Sequence, residues 1–84
     1  MSTHNCRVLL VEDHPFQLKA VLSLLETYGF THITTADSAA NALQQMQCAI
    51  HPFELLLCDQ HLPDCPGLEL IRMAHQRGLV EHAI

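Results

Sequence analysis

The 84-residue chain has no tryptophan, one tyrosine and three glycines, and only 15% of its residues are charged. So little charge beside 49% hydrophobic residues excludes a disordered tail and indicates a core-forming chain of at most one small domain. Basic residues are scarce: four Lys+Arg stand against nine Asp+Glu, for a formal net charge of −5. That balance supplies no general attraction for nucleic acid or anionic lipid, so neither is expected as a direct partner. Long apolar runs are also missing. Val8–Val11 and Leu55–Cys58, the longest, fall far short of the roughly 18 residues of a membrane span. The N-terminus lacks a basic start, and Glu12 and Asp13 follow its short apolar stretch at once. No secretory signal is expected, and the chain reads as cytoplasmic.

What is present is an alternation of strand and helix signals. Arg7–Val11 is a compact, partly β-branched apolar run, the pattern of a strand buried on both faces in a parallel sheet. Pro15 suits a first helical position, Leu18, Val21, Leu22 and Leu25 recur at helical spacing, and Gly29 serves as a terminal cap, which predicts a helix over 15–28. Residues 31–36 read as a second strand. Ser38 caps a second helix with Ala39, Ala42, Leu43, Met46 and Ile50 on its apolar face. Phe53–Cys58 is a third strand closing on Asp59. Residues 60–67 are rich in turn formers, with Pro66-Gly67 suited to the centre of a type II turn. A third helix over 68–77 would place Leu68, Ile71 and His75 on one face, with Gly78 as its stop, and residues 81–84 look like the opening of a fourth strand. The order β-α-β-α-β-α-β implies right-handed crossovers and a parallel sheet.

Ligands of open parallel sheets bind beyond the carboxyl ends of the strands, where the strand order reverses. Strand one ends in Glu12-Asp13 and strand three in Asp59. If these strands are neighbours, three carboxylates converge, and like charges at close range call for a cation. The ligands are all oxygens, which suits a hard ion, Mg²⁺ best. A carboxylate in such a site can also act as a nucleophile and form an aspartyl phosphate.

Other chemistry is less well supported. Cys6, Cys48, Cys58 and Cys65 form no Cys-x-x-Cys pair, and disulfides need a secreted context, so reduced thiols are expected. Cys58, His61 and Cys65 lie within one short stretch, with His14 as a further soft-metal candidate. Alternation along a strand would point Cys58 away from Asp59, so no zinc site is expected. His14 precedes Pro15 and is expected to be extended. His32, His51 and His82 read as surface residues. Asp64 and Glu69 form an acidic surface at a helix start, either solvated or facing a partner.

The residues Val8-Leu9-Leu10-Val11-Glu12-Asp13-His14-Pro15, Leu55-Leu56-Leu57-Cys58-Asp59-Gln60-His61-Leu62-Pro63 and Pro66-Gly67-Leu68-Glu69-Leu70-Ile71 together resemble the receiver domain of two-component response regulators. Ala36-Asp37-Ser38 leading to Ala42-Leu43 resembles the start of that family's second helix. The resemblance covers nearly the whole chain. It implies a three-layer α/β/α flavodoxin-like fold with a parallel sheet of order 2-1-3-4-5, incomplete here. It implies Asp59 as phosphoacceptor, Asp13 and Asp59 as direct Mg²⁺ ligands, Glu12 acting through water and the His61 backbone carbonyl as a further ligand. Gln60 and His61 would neighbour the phosphoryl group, and Pro63 and Gly67 would shape the following loop. The implied partners are a histidine kinase or phosphotransfer protein and an output domain, either a cyclic-di-GMP phosphodiesterase or a helix-turn-helix DNA-binding domain.

The family also carries a Ser/Thr after its fourth strand and a Lys after its fifth. The sequence stops at Ile84, before both, and Lys19 is its only lysine. Residues 1–84 are therefore expected to be an incomplete receiver domain holding the acceptor and metal half of the site. They are also expected to self-associate, because strand three would be an exposed apolar edge unless residues 81–84 cover it. A pseudo-receiver used only for protein contacts is the alternative. A Mg²⁺-dependent aspartyl-phosphate phosphatase is disfavoured, since such enzymes place a second Asp where His61 stands.

Overall fold

The computed structural model describes residues 6–84. Its elements are β1 (Arg7–Val11), α1 (Pro15–Thr27), β2 (His32–Ala36), α2 (Ala39–Cys48), β3 (Phe53–Cys58), α3 (Gly67–Gln76) and β4 (Val80–Ala83). The strands form one sheet of order β2-β1-β3-β4, and every pairing is parallel. This is the expected flavodoxin-like order as far as its fourth strand.

The central strand shows why both faces must be covered. Side chains alternate along it. Leu9 and Val11 enter a core shared with α2 and α3, which includes Leu56, Met46, Leu70 and Ala74. Val8 and Leu10 enter a second cluster with Leu25 of α1, against which Leu18, Val21 and Leu22 pack. A strand apolar on both sides therefore sits between two helical layers, α1 on one face and α2 with α3 on the other. The chain leaves β1 towards β2 and then crosses to β3 on the opposite side, so the order reverses between β1 and β3.

The helix ends are set locally. Pro15 begins α1 after an extended His14. Gly29 (φ 95°) and Gly78 (φ 65°) take the left-handed conformation after α1 and α3. At each, two main-chain bonds close a Schellman motif: Gly29 to Glu26 and Phe30 to Leu25, then Gly78 to His75 and Leu79 to Ala74. The Ser38 side chain accepts from Asn41 N–H at 3.1 Å to open α2.

Four expectations need correction. Gly67 has no positive φ. Pro66 is the N-cap of α3 and Gly67 its first residue, so the Pro-Gly pair starts a helix and does not centre a type II turn. The buried face of α3 is Gly67, Leu70 and Ala74, whereas Leu68 and His75 are exposed and Ile71 half-buried. The apolar pattern permitted either face, and the small Gly67 and Ala74 are the side that lets α3 approach the sheet. Ile50 does not belong to the α2 face: Ala49 turns extended two residues before the residue preceding Pro52, and Ile50 is 91% exposed. Finally, β3 is not an edge. It pairs with β4 through Phe53–Val80, Leu55–His82 and Leu56–Ala83, which removes the exposed edge on which self-association was expected. Among the described residues no helix is long and apolar enough to cross a membrane.

Candidate functional site

The reversal point lies where β1 and β3 run side by side, with Val11 opposite Cys58. Ladder bonds continue one residue beyond each strand. Glu12 N–H donates to Ala36 O at 2.9 Å, and Asp59 N–H donates to Val11 O at 3.1 Å. The main chain of both acids is thus tied to the sheet before either side chain turns into the crevice. One ligand atom from each of Glu12, Asp13, His14 and Asp59 lies within 4.8 Å of all the others.

The cluster sets three carboxylates and one imidazole side by side. Glu12 is only 8% exposed. Its Oε2 accepts the His14 main-chain N–H at 3.2 Å and stands 3.4 Å from His14 Nδ1. Asp13 Oδ1 is 3.1 Å from the same ring nitrogen, but it is buried and takes no aligned hydrogen bond. Like charges this close favour a bound cation, and Asp13 Oδ1 takes no hydrogen bond that would fill its place. Three carboxylates form a hard oxygen set that fits a divalent ion of the Mg²⁺ type.

The loop after Asp59 is held by contacts the sequence only partly disclosed. A Cβ on Gly67 would overlap the Asp59 carbonyl oxygen, and it would sit 3.0 Å from that carbonyl carbon and 3.1 Å from Cys58 Sγ. Glycine is needed here for close approach: the start of α3 lies directly against the Asp59 backbone. Gly67 N–H donates to Gln60 O at 3.0 Å, and His61 bridges Pro66 in antiparallel fashion. Buried Leu62 anchors the loop in the core. Gln60, His61 and Pro63 are exposed and line an open groove of about 600 Å³ with Asp64, Cys65 and Leu68.

Asp64 is exposed, and its carboxylate is committed to a helix N-terminus. Its Oδ1 accepts Ala39 N–H at 2.9 Å and its Oδ2 accepts Ala40 N–H at 2.8 Å. The carboxylate caps the N-terminus of α2 from another loop, and those bonds hold its pKa below the usual 3.8. Glu69 pairs with Arg72 at 3.7 Å on the surface, a contact worth little. Cys58 turns its Sγ to the Asp59 and Gly67 carbonyls, at 3.3 and 3.9 Å. Burial, then the charges of Asp59, Cys65 and Glu12, pushes its thiol up to about 11. All four cysteines are free thiols. Cys58, His61 and Cys65 do not join the ligand cluster.

Two residues carry more than their sequence suggested. The extended conformation of His14 was legible from Pro15; that the same geometry turns its ring onto both acids was not. Asp64 lies 25 residues from the amide it caps, a separation no local pattern spans.

A doubly wound parallel domain with an acidic cluster at its reversal point is the class these features define. The model of the response regulator receiver domain family matches residues 8–83. The chain belongs to that family, and it is a receiver domain of two-component response regulators. It is 38% identical over 68 residues to the response regulator receiver protein CpdR of Brucella abortus, covering 81% of this chain and 54% of that protein. It is 37% identical over 67 residues to the two-component response regulator ORR23 of Oryza sativa subsp. indica, covering 80% of this chain and 10% of that protein. The MaeR response regulator, solved bound to beryllium trifluoride, superposes with a TM-score of 0.83 at 24% identity, covering 100% of this chain and 65% of that one. The chain thus spans only a fraction of the length of these curated relatives.

Proposed function

We propose that Asp59 is the phosphoacceptor and that Glu12, Asp13 and Asp59 hold a divalent ion, best Mg²⁺, beside it. The observation that carries this reading is the convergence of three carboxylates at adjacent strand ends, with a buried Asp13 oxygen that takes no hydrogen bond. Asp13 and Asp59 would be direct ligands, Glu12 would act through water, and the His61 main-chain carbonyl would add a further oxygen. Bound there, the ion supplies positive charge that offsets the transferring phosphoryl group. An Asp59 carboxylate oxygen attacks the phosphorus of a phosphohistidine, the P–N bond breaks, and the histidine departs with the electron pair. Gln60 and His61 flank the resulting acyl phosphate, while Pro63 and Gly67 hold the loop against the Asp59 backbone.

The donor is a histidine kinase or a phosphotransfer protein. Phe16, Ala20 and Leu24 recur at i+4 spacing and are all exposed, Phe16 by 86%. They form an apolar stripe on α1 that begins beside the pocket and suits a helical partner. Modification then biases a two-state equilibrium read by an output domain. The domain turns over no separate substrate.

The test is incubation with acetyl phosphate and Mg²⁺, read by intact mass and compared with Asp59→Asn. The native protein gains one phosphoryl group and the variant none. Equal modification of both proteins, or of neither, refutes the proposal.

A further inference from the structure

We propose that His14 is a nitrogen ligand of the same pocket, so that the site discriminates between divalent ions by ligand softness as well as by charge. This rests on the reading that Glu12, Asp13 and Asp59 bind a divalent ion. His14 Nδ1 stands 3.1 Å from Asp13 Oδ1 and 3.4 Å from Glu12 Oε2. Two ligands of one ion, each about 2.1 Å from it, lie about 3.0 Å apart when adjacent and about 4.2 Å apart when opposite. The Asp13 distance is that of adjacent ligands, and the imidazole nitrogen is therefore spaced to share one ion with Asp13.

Two further observations point the same way. Asp13 Oδ1 takes no aligned hydrogen bond despite its closeness to Nδ1. The Asp13 oxygen is therefore not taken up by a hydrogen bond and is left to accept an ion. The ring is also held in place. Pro15 at the first position of α1 keeps His14 extended (φ −90°, ψ 115°), and the His14 main-chain N–H is bound to Glu12 Oε2 at 3.2 Å. The ring reaches the acids without the backbone having to move. It remains 63% exposed, so replacing it leaves the core intact.

Imidazole favours ions such as Co²⁺ and Ni²⁺, whereas carboxylate, carbonyl and water sets favour Mg²⁺. Loss of a nitrogen ligand must therefore weaken Co²⁺ binding much more than Mg²⁺ binding. The experiment is calorimetric titration of the folded chain with Co²⁺ and, separately, with Mg²⁺, in the native protein and in His14→Ala, His14→Asn and Asp59→Asn. The visible spectrum of bound Co²⁺ is a second readout, since its ligand-field bands shift when nitrogen is replaced by water.

In the His14 variants Co²⁺ affinity falls at least about tenfold, the lower range for disturbing a metal's ligand shell. Mg²⁺ affinity is unchanged and the Co²⁺ bands move. Asp59→Asn weakens both ions, which assigns the Co²⁺ signal to this pocket and not to the other histidines. Equal losses for the two ions, no loss for either, or Co²⁺ binding that survives Asp59→Asn overturns the role of His14 and leaves the carboxylate pocket standing. A native protein that binds neither ion overturns the pocket itself.

Discussion

Replacing Gly67 with alanine puts one methyl group against the backbone that positions Asp59. The added Cβ overlaps the Asp59 carbonyl oxygen and comes to 3.0 Å from its carbonyl carbon and 3.1 Å from Cys58 Sγ. Overpacking of a filled interior costs about 1–3 kcal/mol. The upper end applies because two of the three obstacles are main-chain atoms in a residue tied to β1 by the Asp59–Val11 bond. Working against this, alanine is a better helix former than glycine by up to ~1 kcal/mol. The net is a loss of about 2 kcal/mol, which in a domain this small lowers Tm by about 8–16 °C. Circular dichroism melts of the native and variant proteins measure it. Because the clash pushes on Asp59, Mg²⁺ affinity should fall as well in the fraction that stays folded. A variant as stable as the native protein, or more so, would show that helix propensity outweighs the contact and that Gly67 is not required by close approach.

Three other outcomes follow from the same geometry. Asp64→Ala uncaps α2 and lowers the urea midpoint at neutral pH. The native pKa is depressed below 3.8, so this stabilisation is complete above the ordinary carboxylate value and is lost as pH falls through the folded one. The variant must therefore lose less stability than the native protein over that acid range, and parallel acid limbs would contradict the cap. Cys58, its thiol raised to about 11, should alkylate far more slowly at pH 8 than exposed Cys48; peptide mapping after iodoacetamide checks this, and equal rates in the folded protein would count against a packed Cys58. Leu24→Glu should slow phosphotransfer from a cognate histidine kinase by about tenfold, the cost of one interface anchor, while leaving modification by acetyl phosphate unchanged. A loss in both assays would place Leu24 in the fold and not in docking.

The sequence by itself determined the order of the elements, the two-faced burial of β1 and the acids at the strand ends, because period, capping residues and apolar runs act within a few residues. Pro15, Ser38, Gly29 and Gly78 each mark a boundary through their own backbone chemistry, and the structure uses all four at helix termini. Which face of α3 is buried was a different matter: the pattern around Leu68, Leu70 and Ile71 is compatible with more than one rotation, and only contact with the sheet selects Gly67, Leu70 and Ala74. The tertiary structure alone decided that β4 covers β3, that Asp64 caps a helix 25 residues away and that the His14 ring folds onto Glu12 and Asp13. Each of these depends on distances between segments far apart in the chain or on the direction of a side chain, and neither quantity is encoded in local spacing.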